Sequence, residues 1–257
     1  MAATKRPSAE RHPRGQRVLV ITVILIALAC CGALLDWAVR HNGPASRTSA
    51  ALAQRTSSPG TPTAPSTGAS IAPVTDLTGL AWANFHGVEL PVSRSAGPRA
   101  VRGGLAWGFA DSPLGALLAA VNIGVRANAQ WGPGIFGPTI RGQVTGPGAA
   151  MLLAACQVSY DQASQAEGVP AGQPLGRADV TEEAFRWVTY TAADATVDVI
   201  SAGLGAAGVT ARAVTRIEVQ WSGGDWRVIA PPGGDWGNSA ARLTSLTGYT
   251  AFPGLPS

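Results

Sequence analysis

Cysteine and histidine are scarce in this chain, and their scarcity removes most enzyme chemistries at the outset. Three cysteines and three histidines are spread over 257 residues. Cys30 and Cys31 lie in an apolar run, so beyond it Cys156 has no intramolecular disulfide partner. His86 is the only histidine after residue 41, and a lone His beside aromatics reads as a packing or hydrogen-bonding residue. A Ser-His-Asp or Cys-His site would have to rest on it, and no G-x-S-x-G occurs. No spacing supplies the four ligands of a structural zinc site. A P-loop and a G-x-G-x-x-G after a strand are also missing. No catalytic, cofactor-binding or metal-binding residue is therefore assigned, and the reading is non-enzymatic. Charge is sparse as well, at 13% of residues. Among the carboxylates, Asp194 and Asp198 fall in a strand-like pattern. Asp198, between Val197 and Val199, reads as solvent-facing. Asp179, Glu182 and Glu183 could pair for acid–base work, but they read better as a solvated helix start.

The longest uncharged segment is Val18 to Leu35, VLVITVILIALACCGALL. A bilayer core needs roughly 20 apolar residues of helix, so residues 18–38 read as one membrane span. Lys5, Arg6, Arg11, Arg14 and Arg17 precede it against Glu10 alone. That excess keeps the tail, residues 1–17, on the cytoplasmic side and exports the chain beyond the span. The tail explains the basic balance without a nucleic-acid partner, which is not expected. A cleaved signal (Ala27-Leu28-Ala29) and a lipid-modified Cys30 or Cys31 are the rival readings. The run is longer than a signal's apolar region of roughly 7–15 residues. Residues 39–75, rich in Ser, Thr, Pro, Ala and Gly, cannot bury enough apolar surface to order themselves, and read as a tether.

Residues 76–257 form one exported domain, large enough for its own core. Leu77 to Phe109 suggests only a short turn or strand. Asp111-Ser112-Pro113 opens the clearest helix, with Ser112 as N-cap and Pro113 in the first turn. Leu114, Leu117, Leu118, Val121 and Val125 follow with helical period. The stretch WGPGIFGP, 131–138, reads as a helix-breaking loop whose aromatics are either buried anchors or exposed contacts, and Trp131, Ile135 and Phe136 on it are the candidate partner-binding contacts. Pro138 to Val144 can hold a helical turn. A second helix runs from Gly146-Pro147 to about Ala166, with Met151, Leu152, Ala155, Val158, Ser159 and Gln162 on roughly one side. After a loop at 169–178, the last third is β. Strands read at 185–191, 196–201 and 213–221, with a turn at 203–208. Alternation of Thr215, Ile217, Val219 and Trp221 with Arg216, Glu218 and Gln220 puts one face on a core. Ser222-Gly223-Gly224-Asp225 is a hairpin turn, and 226–230 pairs back. A C-terminal tail from Asp235 is packed by Trp236, Leu243, Leu246, Tyr249 and Phe252. Helices followed by antiparallel strands give an α+β class, a curved sheet wrapped around two helices.

The order of span, Ser/Thr/Pro tether, GFADSPLGALLAAVN, QWGPGIFGPTIRGQVTG and a closing WSGGDWRVIAPPGGDW resembles a family of actinomycete single-pass membrane proteins of integrative conjugative elements. In layout it is also similar to the membrane scaffold proteins of conjugation and type IV secretion systems. That resemblance implies a cystatin/NTF2-like exported domain, helices cupped by an antiparallel sheet, and carries over no catalytic site. The expected role is a scaffold or accessory protein that docks other envelope or conjugation proteins and is anchored in the cell membrane, with homo-oligomers open. The alternatives are an NTF2-like ligand-binding or enzymatic domain, and a tethered cell-wall-binding module. A deep pocket holding His86 or a buried carboxylate would favour the ligand reading. A cup filled by Trp and Leu would count against it.

Overall fold

A helix with small residues on several sides can be enclosed on all of them, and the fold is built around one such helix. The structure is a computed structural model that describes residues 73–204 and 209–255. The basic tail, the span, nearly all of the tether and most of the 203–208 turn lie outside the described residues. Among the described residues no helix is long and apolar enough to cross a membrane. The central helix, α1 (Pro113–Arg126), starts as its sequence dictates: the Ser112 hydroxyl accepts the Gly115 N–H, 3.1 Å away. Every residue from Leu114 to Arg126 is buried. The expected stripe is only one side of it, and Gly115, Ala116, Ala119, Ala120 and Gly124 let other elements close in on the rest. A helix apolar all round belongs in the middle of a core.

A curled sheet covers one side of α1. Its centre is the antiparallel meander β6 (Val180–Tyr190), β7 (Asp194–Leu204), β8 (Thr210–Ser222) and β9 (Asp225–Ile229). Val197, Val199, Thr215, Ile217, Val219, Trp226 and Val228 are buried on the face toward α1. The expected alternation in β8 and the hairpin turn before Asp225 are both present. The strands run longer than expected because β-structure extends into segments rich in charge or glycine. The main departure is at 180–183. A helix start was expected there, but the chain is the beginning of β6, with a register irregularity between Glu182 and Ala184. Leu77 to Phe109, expected to be mostly irregular, forms two hairpins. The first is β1 (Leu80–Phe85) with β2 (Val88–Ser93), and the second is β3 (Ala100–Arg102) with β4 (Leu105–Trp107). β2 joins β6 in parallel, and β5 (Val144–Thr145) joins β9 in parallel. The large sheet is ordered β1-β2-β6-β7-β8-β9-β5. The C-terminal segment adds β10 (Ala240–Leu243) on β8 and β11 (Thr250–Ala251) on β6. It also sets the Tyr249 ring 4.5 Å from the Arg186 guanidinium.

The stretch 131–138 is not a loop. Trp131 ends a 3-10 turn (Ala129–Trp131), and α2 (Pro133–Gln143) follows at once. Pro133 occupies the first turn, where its missing N–H costs nothing. Pro138 gives up one internal hydrogen bond, and packing outweighs that loss: Phe136 and Ile140 are buried. The third helix, α3 (Ala149–Glu167), ends at Gly168, whose φ of 67° suits glycine. Its buried line is Leu152, Cys156 and Tyr160, four residues apart. The expected side was wrong in phase, and Met151 and Val158 face solvent at 51% and 49% exposure. Tyr160 belongs to the core because its ring packs near Phe136, while its hydroxyl reaches out to donate to Gln173 O at 2.8 Å. α2 and α3 pack on each other, and α2 also meets β4, β5 and β9. The described domain is therefore α+β with three helices, one of them enclosed.

Asp225 ties the last hairpin to the start of α1. Its carboxylate accepts the N–H groups of Gly108 (2.8 Å), Phe109 (3.0 Å) and Trp226 (2.9 Å). The neighbouring Trp226 Nε1 donates to Ala110 O at 2.9 Å. The motifs GFADSP and WSGGDW, far apart in sequence, are thus one joint in space.

Candidate functional site

Polar groups buried inside an apolar interface are the informative feature of any core, and α1 meets the sheet over one such group. Val180-Thr181-Glu182 alternates within β6, so Glu182 follows Val180 inward. It is 1% exposed. Opposite it in register on β7 is Ser201, whose hydroxyl donates to Glu182 Oε2 at 2.8 Å. That is the carboxyl's one hydrogen-bond partner among the described residues. On β8 the Thr215 hydroxyl is buried and has no partner among the described residues. These three residues line a crevice closed by Val121, Gly124 and Val125 of α1, by Ile217 and by Trp236. Gly124 permits the close approach, since a Cβ there would stand 3.0 Å from Ile217 Cδ1. Counted out to its mouth the crevice is about 290 Å³, but the enclosed space is only water-sized. Burial pushes the Glu182 carboxyl up to about 7, with the Ser201 hydrogen bond pulling the other way. The crevice therefore presents one carboxyl near its titration point and one idle hydroxyl, among apolar walls.

The three carboxylates read together in the sequence are not brought together. Asp179 pairs with Arg177 at the surface, and Glu183 turns outward to Arg212, with 2.9 Å from Nη2 to Oε1. Only Glu182 enters the core, so the solvated helix start is corrected at that residue. The alternation Val180–Glu182 was the available signal, and the adjacent pair Glu182-Glu183 obscured it. Asp198 requires a second correction. It is 2% exposed on the outer face of the sheet, not solvent-facing. The Arg186 Nη2 donates to it at 2.7 Å and the Arg216 Nε at 2.8 Å, in a cross-strand triplet set by register. Burial pushes its carboxyl up, but the hydrogen bonds from Arg216 and Arg186 outweigh that and hold it below the usual carboxylate range.

The candidate contact residues lie elsewhere. Trp131 is 3% exposed, with its Nε1 donating to Val125 O at 2.6 Å, and Phe136 is fully buried. Both are core residues, which overturns their expected exposure. Ile135 is half-buried beneath the turn of the second hairpin, where its backbone touches Gly104. His86 sits at the tip of the β1–β2 hairpin with a φ of 52°. Its ring stacks on Trp131 at 5.6 Å and meets Phe85 edge-on at 4.7 Å. Arg126 lies beneath, held by Asn122 and placed 4.5 Å from the Phe85 ring centroid. Burial lowers its guanidinium to about 10, and its place in the last turn of α1 favours the positive charge. Among the described residues no group of three His, Cys, Asp or Glu could hold a metal ion.

A family model, Domain of unknown function (DUF8175), matches residues 42–251. No curated protein and no solved structure matches the chain.

Proposed function

Because the chain belongs to the DUF8175 family, whose description assigns no activity, we propose its function from geometry and sequence together. The protein is a non-enzymatic, single-pass membrane protein whose exported domain docks other proteins of the cell envelope. It serves as a scaffold or accessory component of a conjugative DNA-transfer or secretion apparatus. The observation that carries this reading is the burial of α1: the concave side of the sheet is occupied by a helix buried from Leu114 to Arg126. A ligand-binding cup would leave a pocket of several hundred Å³ for its substrate, whereas the enclosed space beside Glu182 is water-sized. Function then falls to the outer surface, where Met151, Val158, Val101 and Trp107 are exposed. A helix cupped by a curled antiparallel sheet is the arrangement of a cystatin/NTF2-like domain, and we assign the domain to that type. The uncharged run Val18 to Leu35 supplies the anchor, and the Ser/Thr/Pro-rich tether supplies reach.

The buried carboxyl favours one second reading, an NTF2-like ligand-binding domain with Glu182 at its floor. Crosslinking cells that carry the full-length protein tagged at its C-terminus, then identifying what co-purifies from the membrane, separates the two. Recovery of conjugation or secretion subunits is expected. An intact membrane protein that brings down no envelope partner would overturn the docking reading.

A further inference from the structure

We propose that the crevice beneath α1 is a built site for one water molecule and one exchangeable proton, and that loss of the proton loosens α1 from the sheet. The geometry makes the case. Glu182 receives one hydrogen bond, from Ser201, at 2.8 Å. Thr215 Oγ1 is buried, has no partner among the described residues and lines the same space. A buried hydroxyl left idle beside a water-sized gap is the situation in which proteins hold internal water. The walls Val121, Val125, Val199, Ile217 and Trp236 offer no compensating charge. Among the described residues no charged group of α1 or of β6–β8 faces the carboxyl, and Arg242 of β10, three strands away in the same cross-strand row, is exposed to solvent. On α1 the one charged residue, Arg126, is bound to Asn122 and lies against Phe85. On β6, Glu183 pairs with Arg212 of β8, and Arg186 and Arg216 clamp Asp198 of β7 on the outer face. Asp194 is exposed at the far end of β7, Glu218 is exposed on β8, and Asp235, before Trp236, caps Gly237 N–H. An ionised Glu182 would be a lone buried charge, which the fold can relieve only by admitting water between α1 and the sheet.

The sign of the effect follows from burial. Between the ordinary carboxyl value of 4.5 and about 7, the folded protein holds a proton that the unfolded chain has released. Folding is then favoured less as pH rises, by up to about tenfold in the folded-to-unfolded ratio per pH unit, and the loss is complete above about 7. The test is urea-dependent proteolysis of the full-length protein in detergent from pH 5 to 8.5, beside Glu182→Gln, which keeps the shape and cannot ionise. The ratio of wild-type to variant stability should fall across this range, and a constant ratio would overturn the proposal. Hydrogen exchange of wild-type α1, corrected for the intrinsic rate, reads the same event without the variant. Protection should drop between pH 5 and about 7 and level off above it, and unchanged protection would overturn the switch. In a high-resolution crystal structure at pH 5.5, a water within hydrogen-bond reach of Glu182 and Thr215 is expected, and a dry crevice would overturn the site.

Discussion

Replacing Asp225 by alanine strips three backbone N–H groups of one acceptor. Gly108 donates to Oδ2, while Phe109 and Trp226 donate to Oδ1. A hydrogen bond to an ionised group contributes about 1.5–3 kcal/mol to stability. The three are not additive, because they share one carboxylate and the site is only half-buried, so water can replace part of what is lost. An overall loss of about 2–4 kcal/mol is expected. The loss should concentrate at the joint, since the same segment leads into Ser112 and the first turn of α1. Asp225→Asn keeps one acceptor oxygen. It should cost roughly half as much, because its amide can spare two of the donors but turns an N–H toward Gly108. Urea unfolding followed by tryptophan fluorescence measures both, with Trp226 beside the change. At a slope of about 2 kcal/mol per molar urea, the alanine variant's midpoint should drop by about 1–2 M. A drop equivalent to less than about 0.5 kcal/mol, or an asparagine variant as unstable as alanine, would show that Asp225 does not hold this joint.

Three further outcomes rest on the same geometry. Trp131→Ala removes a buried indole and the acceptor contact at Val125 O, so stability should fall by about 3–5 kcal/mol in denaturant unfolding; a loss under about 1 kcal/mol would place the ring at the surface. Asp198 titrates lower in the folded protein than in the unfolded chain, so its stabilisation is full above the unfolded carboxyl value and lost as pH falls through the folded one. Asp198→Asn should flatten the acid limb of the stability profile, and an unchanged limb would remove the arginine clamp as its source. Cys156 is fully buried, so a thiol reagent should reach it only on unfolding, as peptide mass spectrometry of the labelled protein can show. Rapid labelling in native buffer would contradict that burial.

Local rules made some elements legible and left others hidden. Ser112 and Pro113 marked the start of α1 because a cap and a first-turn proline act within a few residues. Alternation along β8 worked because its outward side chains are Arg, Glu and Gln and its inward ones Ile and Val. The reading failed where tertiary packing chose between chemically ambiguous residues. Glycine and proline in WGPGIFGP argued for a loop, yet Phe136 and Ile140 gain enough from burial to hold a helix. On α3, Met151 and Val158 are as apolar as Leu152, and only the position of α2 decides that Cys156 and Tyr160 go inward. The polar site was the least legible. Glu182, Ser201 and Thr215 come from three strands, and nothing in the spacing 182–201–215 reveals that register places them under one helix. Asp198 misled for a related reason: alternation gave its face correctly, but that face carries the C-terminal segment and two arginines, not water.

With α1 closing the concave side, the proposed docking falls to the outside of the domain. Photocrosslinking in cells tests it most directly, with a photoreactive residue placed singly at Met151, Val158 or Val101 of the full-length protein and at buried Leu118 as the control. Adducts with another envelope protein are expected from at least one outward position and none from Leu118. No adduct from any outward position, in a protein that remains intact, would contradict it.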